Sequence, residues 1–215
     1  MGPMATAKIC GLTTPEAVTA ALEGGASHLG FVMFEASPRA IAPEAAARLT
    51  GPIKGRAKVV AVTVDPDDAL LDRIAAALKP DLIQLHGRES PARAAAIAAR
   101  TGAGVIKALP VSEAADLAEG SAFDGVAEHL MFDARPPKDA DRPGGFGAAF
   151  DWTLLAGQRF ARPWFLAGGL DPWNVGEAVR ASGAALVDVS SGVERGPGVK
   201  DPALISAFLE AVRRA

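Results

Sequence analysis

Lys8-Ile9-Cys10-Gly11-Leu12-Thr13-Thr14-Pro15-Glu16 decides how this 215-residue chain is read. A short apolar run ends at Gly11-Leu12, and Thr13-Thr14-Pro15-Glu16 starts a helix, because threonine caps and proline costs little in a first turn. The unit is a strand followed at once by a helix. Parallel α/β architectures place their chemistry just beyond the carboxyl ends of the strands. Cys10, the chain's single cysteine, stands at such a place and on this reading faces a site.

The same unit recurs outward along the chain. Aliphatic or β-branched runs at 8–12, 28–34, 58–65, 82–86, 105–110, 129–133, 164–167 and 185–190 each precede an alanine-rich helix candidate. Prolines at Thr14-Pro15, Ala42-Pro43, Pro66-Asp67, Ser90-Pro91, Asp171-Pro172 and Asp201-Pro202 mark helix starts. Eight strand and helix pairs with no linker predict a single-domain (β/α)8 TIM barrel over 1–215, with an eight-stranded parallel sheet. Met1-Gly2-Pro3-Met4 carries no pattern, so residues 1–6 are set apart as a disordered or expression-derived N-terminus. The long irregular stretch 135–149, with Pro143-Gly144-Gly145-Phe146-Gly147, reads as a binding loop or lid.

Composition narrows the function. Hydrophobic residues make up 49% and charged residues 22%, with a net charge of -3, which suits a globular enzyme and gives no nucleic-acid footprint. No apolar run spans a bilayer and no signal segment opens the chain, so a cytoplasmic protein without membrane contact is expected. One cysteine makes no internal disulfide, and His28, His86 and His129 lack metal-ligand spacing, so no metal is expected. Monomer and homodimer are both compatible with the sequence.

Side chains two apart on a strand share a face, which pairs Lys8 with Cys10, Gln84 with His86, and Met131 with Asp133. Cys10, His86 and Asp133 then gather at one mouth. A thiol is a weak base at its ordinary pKa of ~8.5, but a cation such as Lys8 or a helix N-terminus lowers that value. The plainer reading of Cys10 is a small buried apolar residue. Asp133, after apolar Leu130-Met131-Phe132, suits a protonated acid or a loop carboxylate paired with Arg135. His86 reads as a hydrogen-bonded support. Arg39 in Ser37-Pro38-Arg39 offers a fork for a carboxylate, or is a solvated loop residue. Gly168-Gly169 and Ser191-Gly192 end the last two strands, where backbone N–H groups of such barrels hold phosphate; otherwise they make tight turns.

The ordered series Lys8-Ile9-Cys10-Gly11, Gly30-Phe31 leading to Ser37-Pro38-Arg39, Gln84-Leu85-His86-Gly87, Phe132-Asp133, Phe150-Asp151-Trp152, Leu166-Ala167-Gly168-Gly169-Leu170 and Asp188-Val189-Ser190-Ser191-Gly192-Val193-Glu194 resembles the phosphoribosylanthranilate isomerase family of the tryptophan pathway. The likeness covers nearly the whole chain. It implies a cofactor-free Amadori rearrangement of a small phosphorylated substrate. Asp133 would be the general acid at the ring oxygen and Cys10 the general base at C2. Arg39 would hold the anthranilate carboxylate, His86 would support from behind, and Gly168, Gly169, Ser191 and Gly192 would hold the phosphate. Phe146 stands where the family's glycine-rich loop usually has threonine. The alternatives are the sister isomerase of histidine biosynthesis, which uses an aspartate base, and a phosphosugar-binding barrel without catalysis.

Overall fold

The computed structural model describes residues 5–135 and 149–215. Eight parallel strands close into a barrel in chain order: β1 (Thr6–Cys10), β2 (His28–Val32), β3 (Lys58–Thr63), β4 (Leu82–Leu85), β5 (Gly104–Val111), β6 (His129–Ala134), β7 (Trp164–Leu166) and β8 (Leu186–Val189). All eight fall where the sequence predicts strands. Thr6 already pairs with Leu186 of β8, so the unstructured N-terminus expected over 1–6 is too long at its inner end.

Strand alternation sorts the core into two parts. On β1, Ala7 and Ile9 point outward into the large apolar layer beneath the helices. Cys10 points inward and packs with Val60, Val62, Ile106, Ala108, Met131 and Phe165 in the barrel's own filling. The closed ladder leaves no barrel strand with an unpaired edge, and it fixes the carboxyl ends of all eight strands at one rim.

The helices are α1 (Pro15–Glu23), α2 (Pro43–Leu49), α3 (Asp68–Arg73), α4 (Pro91–Thr101), α5 (Val175–Ser182) and α6 (Pro202–Arg213). Thr14, Ser90 and Asp201 cap α1, α4 and α6 through their side chains, each with proline just inside. Two of the six proline signals work differently. Pro66 precedes the cap Asp67 of α3, and Pro172 sits in the turn ahead of α5, whose cap position is Asn174.

The uniform βα rhythm also needs correction. After β5 the chain forms a 3-10 helix over Ala114–Phe123 instead of an α-helix. Gly120 in this stretch lies so close to the sheet that a Cβ there would come 2.9 Å from Leu130 Cδ1, and glycine also weakens an α-helix. After β6, the described residues contain only the short 3-10 helix Trp152–Leu155. A hairpin of β9 (Glu194–Gly196) and β10 (Val199–Lys200), which the rhythm does not anticipate, follows β8. Its Gly198 has φ +77 and approaches Pro38 so closely that a Cβ would lie 2.3 Å from the Pro38 carbonyl oxygen. That approach brings Glu194 beside Arg39. No helix among the described residues is long and apolar enough to cross a membrane.

The opposite end of the barrel is closed by rings. His28 and His129, at the starts of β2 and β6, meet Phe165 with centroid separations of 5.1 and 5.4 Å, and His28 Nδ1 lies 2.9 Å from Ser27 Oγ. Burial, with the neighbouring His129, pushes the His28 imidazole down from 6.5 to about 4. In the unfolded chain His28 binds a proton near pH 6.5, whereas the folded chain resists until about pH 4. Unfolding therefore takes up protons in that window, and stability falls as the pH drops through it. A shift of this size corresponds to roughly 3 kcal/mol at full effect. Denaturant titrations at pH 7 and pH 4.5 are expected to give a markedly smaller pH difference for His28→Gln than for the unmodified chain.

Candidate active site

The barrel closes between β1 and β8, and the register there pairs Lys8 with Asp188. Both side chains point inward. Lys8 Nζ donates to Asp188 Oδ1 at 2.7 Å, with the lysine fully buried. One pleat further toward the rim lies Cys10, opposite Gly30 of β2. A Cβ at Gly30 would stand 3.1 Å from both Cys10 Sγ and Lys8 Nζ, so the missing side chain makes room for the thiol and the ammonium. Alanine at this position would have to push one of them aside.

Charge around the thiol is divided. Burial pushes the Cys10 thiol up, Lys8 and Lys200 pull it down, Asp188 pushes it up again, and the balance lies above the ordinary cysteine value. Lys8 does lower the thiol as its charge requires, but desolvation outweighs the cation. Burial also opposes the charge on Lys8, but Asp188 and Cys10 more than compensate, and Lys8 holds its proton more firmly than usual.

Across the barrel, Asp133 near the end of β6 faces inward and is mostly buried. Its Oδ2 lies 3.1 Å from His86 Nε2, and His86 Nδ1 lies 2.9 Å from the amide nitrogen of Gln84. Arg135 does not pair with Asp133; its Nη2 donates to Asp116 Oδ1 at 2.6 Å. The turn after His86 is held by a buried ion pair in which Lys107 Nζ donates to Glu89 Oε2 (2.7 Å) and to the Gly87 carbonyl (2.8 Å). The same Glu89 carboxylate accepts the Gly87 N–H, so the loop beyond β4 is fixed on both sides of Gly87.

Arg39 is not a solvated loop residue. It is 5% exposed, and its Nε and Nη2 donate to the two oxygens of Glu194 at 2.7 and 2.8 Å. Glu194 also accepts from Lys200 Nζ at 2.6 Å, and Lys200 donates to the Ser190 carbonyl at 2.7 Å. Ser190 Oγ in turn donates to the Cys10 carbonyl at 3.2 Å. The bidentate edge of Arg39 expected for a ligand is thus occupied from within, and among the described residues Nη1 and the second Nη2 hydrogen remain to offer.

At the ends of β7 and β8, Gly168 and Gly169 have φ +89 and +66. Their N–H groups make no hydrogen bond among the described residues. A Cβ at Gly168 would lie 2.5 Å from Ala134 N, and one at Gly192 would lie 1.9 Å from the Leu170 carbonyl oxygen. Only glycine lets these two loops meet beside Asp133. Apart from Arg135 and Ala149, the stretch 135–149 with Phe146 lies outside the described residues. Among the described residues no group of three or more His, Cys, Asp or Glu side chains is placed to hold a metal ion.

Reading the sequence misses Gly30, Asp188, Glu194 and Lys200 as parts of this mouth. Gly30, Asp188 and Glu194 lie in quoted motifs, but their partners depend on barrel register and on the hairpin, neither of which local pattern encodes. The chain contains one cysteine and no tyrosine, so ultraviolet absorbance near the thiolate band reports Cys10 without phenolate interference. That absorbance is expected to rise only above the ordinary cysteine range, at higher pH still in Lys8→Met and at lower pH in Asp188→Asn.

The family model described as N-(5'phosphoribosyl)anthranilate (PRA) isomerase matches residues 7–211. The N-(5'-phosphoribosyl)anthranilate isomerase of Caulobacter vibrioides is 68% identical over 210 residues, covering 97% of this chain and 96% of its own. That of Mesorhizobium japonicum is 53% identical over 208 residues, covering 97% and 95%. The crystal structure of phosphoribosyl anthranilate isomerase from Thermotoga maritima superposes with a TM-score of 0.87 at 33% identity, over 99% of this chain and 100% of that one. A structure of such an isomerase in complex with reduced 1-(o-carboxyphenylamino)-1-deoxyribulose 5-phosphate superposes with a TM-score of 0.84 at 32% identity, over the same shares.

Proposed function

Because the chain belongs to the N-(5'-phosphoribosyl)anthranilate isomerase family, we propose that Asp133 and Cys10 divide the acid and base work of its reaction. The enzyme isomerises N-(5'-phosphoribosyl)anthranilate in tryptophan biosynthesis, and the histidine-pathway and non-catalytic alternatives fall away. Asp133 gives a proton to the ring oxygen as the bond from C1 to that oxygen breaks, and the nitrogen lone pair forms an iminium at C1. The Cys10 thiolate then takes the C2 proton, and the electron pair moves into a C1–C2 double bond, neutralising the nitrogen. Ketonisation returns a proton to C1 and releases one from the C2 hydroxyl. Hydrogen has moved from C2 to C1 within one molecule, so the step balances without an oxidant or reductant.

The observation that carries this reading is the placement of Cys10 and Asp133 near the carboxyl ends of β1 and β6, at one rim of a closed barrel. A thiol held above its ordinary range is a strong base once ionised but is scarce as thiolate. The positive iminium next to it favours ionisation at the moment the base is needed, with Lys8 and Lys200 assisting. The free N–H groups of Arg39 are suited to the anthranilate carboxylate, while Glu194 holds the guanidinium flat. The N–H groups of Gly168, Gly169, Ser191 and Gly192 are suited to the phosphate. His86 supports Asp133 from behind, and the reaction belongs in the cytoplasm.

With substrate generated in situ, loss of its fluorescence measures turnover. Cys10→Ser and Asp133→Asn are each expected to lower kcat about 10²–10⁴-fold, the range of a lost general acid or base, with an unchanged circular dichroism spectrum. Near-normal turnover by either variant would sink that residue's role. Arg39→Ala is expected to raise KM at least tenfold, about 1.4 kcal/mol of binding; an unchanged KM removes Arg39 from carboxylate recognition.

A further inference from the structure

Building on the reading of Asp133 as the acid, we propose that Gln84 is a positioning residue whose side-chain amide turns over to let the His86–Asp133 pair carry the reacting proton. The observation is an unmatched atom. Gln84 is buried, its Nε2 lies 2.9 Å from His86 Nδ1, and its Oε1 has no partner among the described residues. A buried amide oxygen without a donor is costly, so such an atom asks for a second state in which it is used.

The hydrogen-bond arithmetic supplies that state. With Nε2 of Gln84 donating to Nδ1, the ring proton sits on Nε2 of His86 and is donated to Asp133 Oδ2, 3.1 Å away. Asp133 is then a carboxylate with nothing to give. One further proton on the pair rests either on Asp133, which donates it to Nε2, or on the ring as imidazolium. In both cases Nδ1 carries a hydrogen, and it would face the donor edge of Gln84. Half a turn of the amide replaces that edge with Oε1, so the acceptor meets the new donor, while the two Nε2 hydrogens move into the place that Oε1 leaves. Nitrogen and oxygen are nearly the same size, so the turn needs no added space.

Among the described residues, the charged groups around the pair are otherwise engaged. Lys107 is tied to Glu89 behind Gly87, and the Asp65 carboxylate takes the Arg88 N–H on the β3 side. Arg135 is held by Asp116 beyond β6, and on the far wall Lys8 is paired with Asp188 beneath Cys10. The β7 side contributes Gly168, which is uncharged. The neutral amide is thus the group in direct contact with Nδ1.

The test uses the full chain with Gln84→Glu, Gln84→Met and Gln84→Asn, the last too short to reach the ring. It reads the pH profile of kcat and the nitrogen-15 resonances of the three imidazoles. In the unmodified enzyme without substrate, at neutral pH, His86 is expected to be protonated on Nε2. In Gln84→Glu the ring gains a hydrogen on Nδ1 and the alkaline limb of kcat moves up by about one pH unit. In Gln84→Met and Gln84→Asn that limb moves down by about one unit, with a roughly tenfold lower kcat at neutral pH and KM within twofold. Variants that fold but keep the original limb and the original tautomer overturn the proposal, as does an equal loss of kcat in all three with no movement of the limb. Asp133→Asn separates the two layers: if it retains turnover the acid assignment has failed, and if it abolishes turnover while the Gln84 variants keep the original profile, only the role of Gln84 has failed.

Discussion

The buried contact between Lys8 and Asp188 organises the molecule. It joins the first strand to the last in the innermost layer of the barrel, at 2.7 Å and with the ammonium fully removed from water. Breaking such a pair by deleting one partner typically costs about 3–5 kcal/mol, a large share of a domain's total of about 5–15 kcal/mol. The pair is therefore a constraint as much as an attraction. Once Lys8 is enclosed, β8 must present its carboxylate opposite, and that register brings Val189 beside Ile9 and sets Ser190 against the Cys10 carbonyl.

A second set of charges sits nearer the rim. Arg39, Glu194 and Lys200 form a chain from the loop after β2 to the hairpin after β8. Two cations share one carboxylate there, and Lys8 and Asp188 cancel below. The surplus positive charge lies beside Cys10, in a place that has little water to screen it. An apolar wall alone would hold a thiol neutral; this wall holds it neutral while keeping compensation within reach. Opposite, Asp133 meets an imidazole and, through it, an amide, so that side of the barrel mouth is built from a hydrogen-bonded row instead of a lysine–carboxylate pair.

Much of this was legible in residues, and the remainder follows a pattern. The strands were readable because each is a short apolar run with a clear boundary, and three of the helices because Thr14, Ser90 and Asp201 are side-chain caps with proline beside them. Two-residue alternation put Cys10 on one face with Lys8 and Asp133 on one face with Met131; that this face is the inner one comes from the packing of Cys10 and Met131 inside the barrel. What escaped was long-range. That Glu194 takes the fork of Arg39, 155 positions away, depends on how the hairpin folds back over Pro38. That Cys10 is not acidified depends on how completely the barrel dries it, which the neighbouring lysine in sequence does not reveal. The 3-10 stretch after β5 escaped because its alanines favour a helix of some kind while Gly120 and the sheet beneath decide which.

Closure of the barrel also has a consequence in time. Lys8 and Asp188 are 180 residues apart, so at a synthesis rate of about 5–20 residues per second the ammonium waits roughly ten to forty seconds for its counter-charge to leave the ribosome. During that interval β1 has one free edge, Cys10 lines an open trough, and nothing compels Lys8 to turn inward. Half a barrel consequently lacks the carboxylate that faces Lys8. The barrel closes only when β8 pairs with β1, and until that moment the nascent chain offers neighbouring molecules an exposed strand edge.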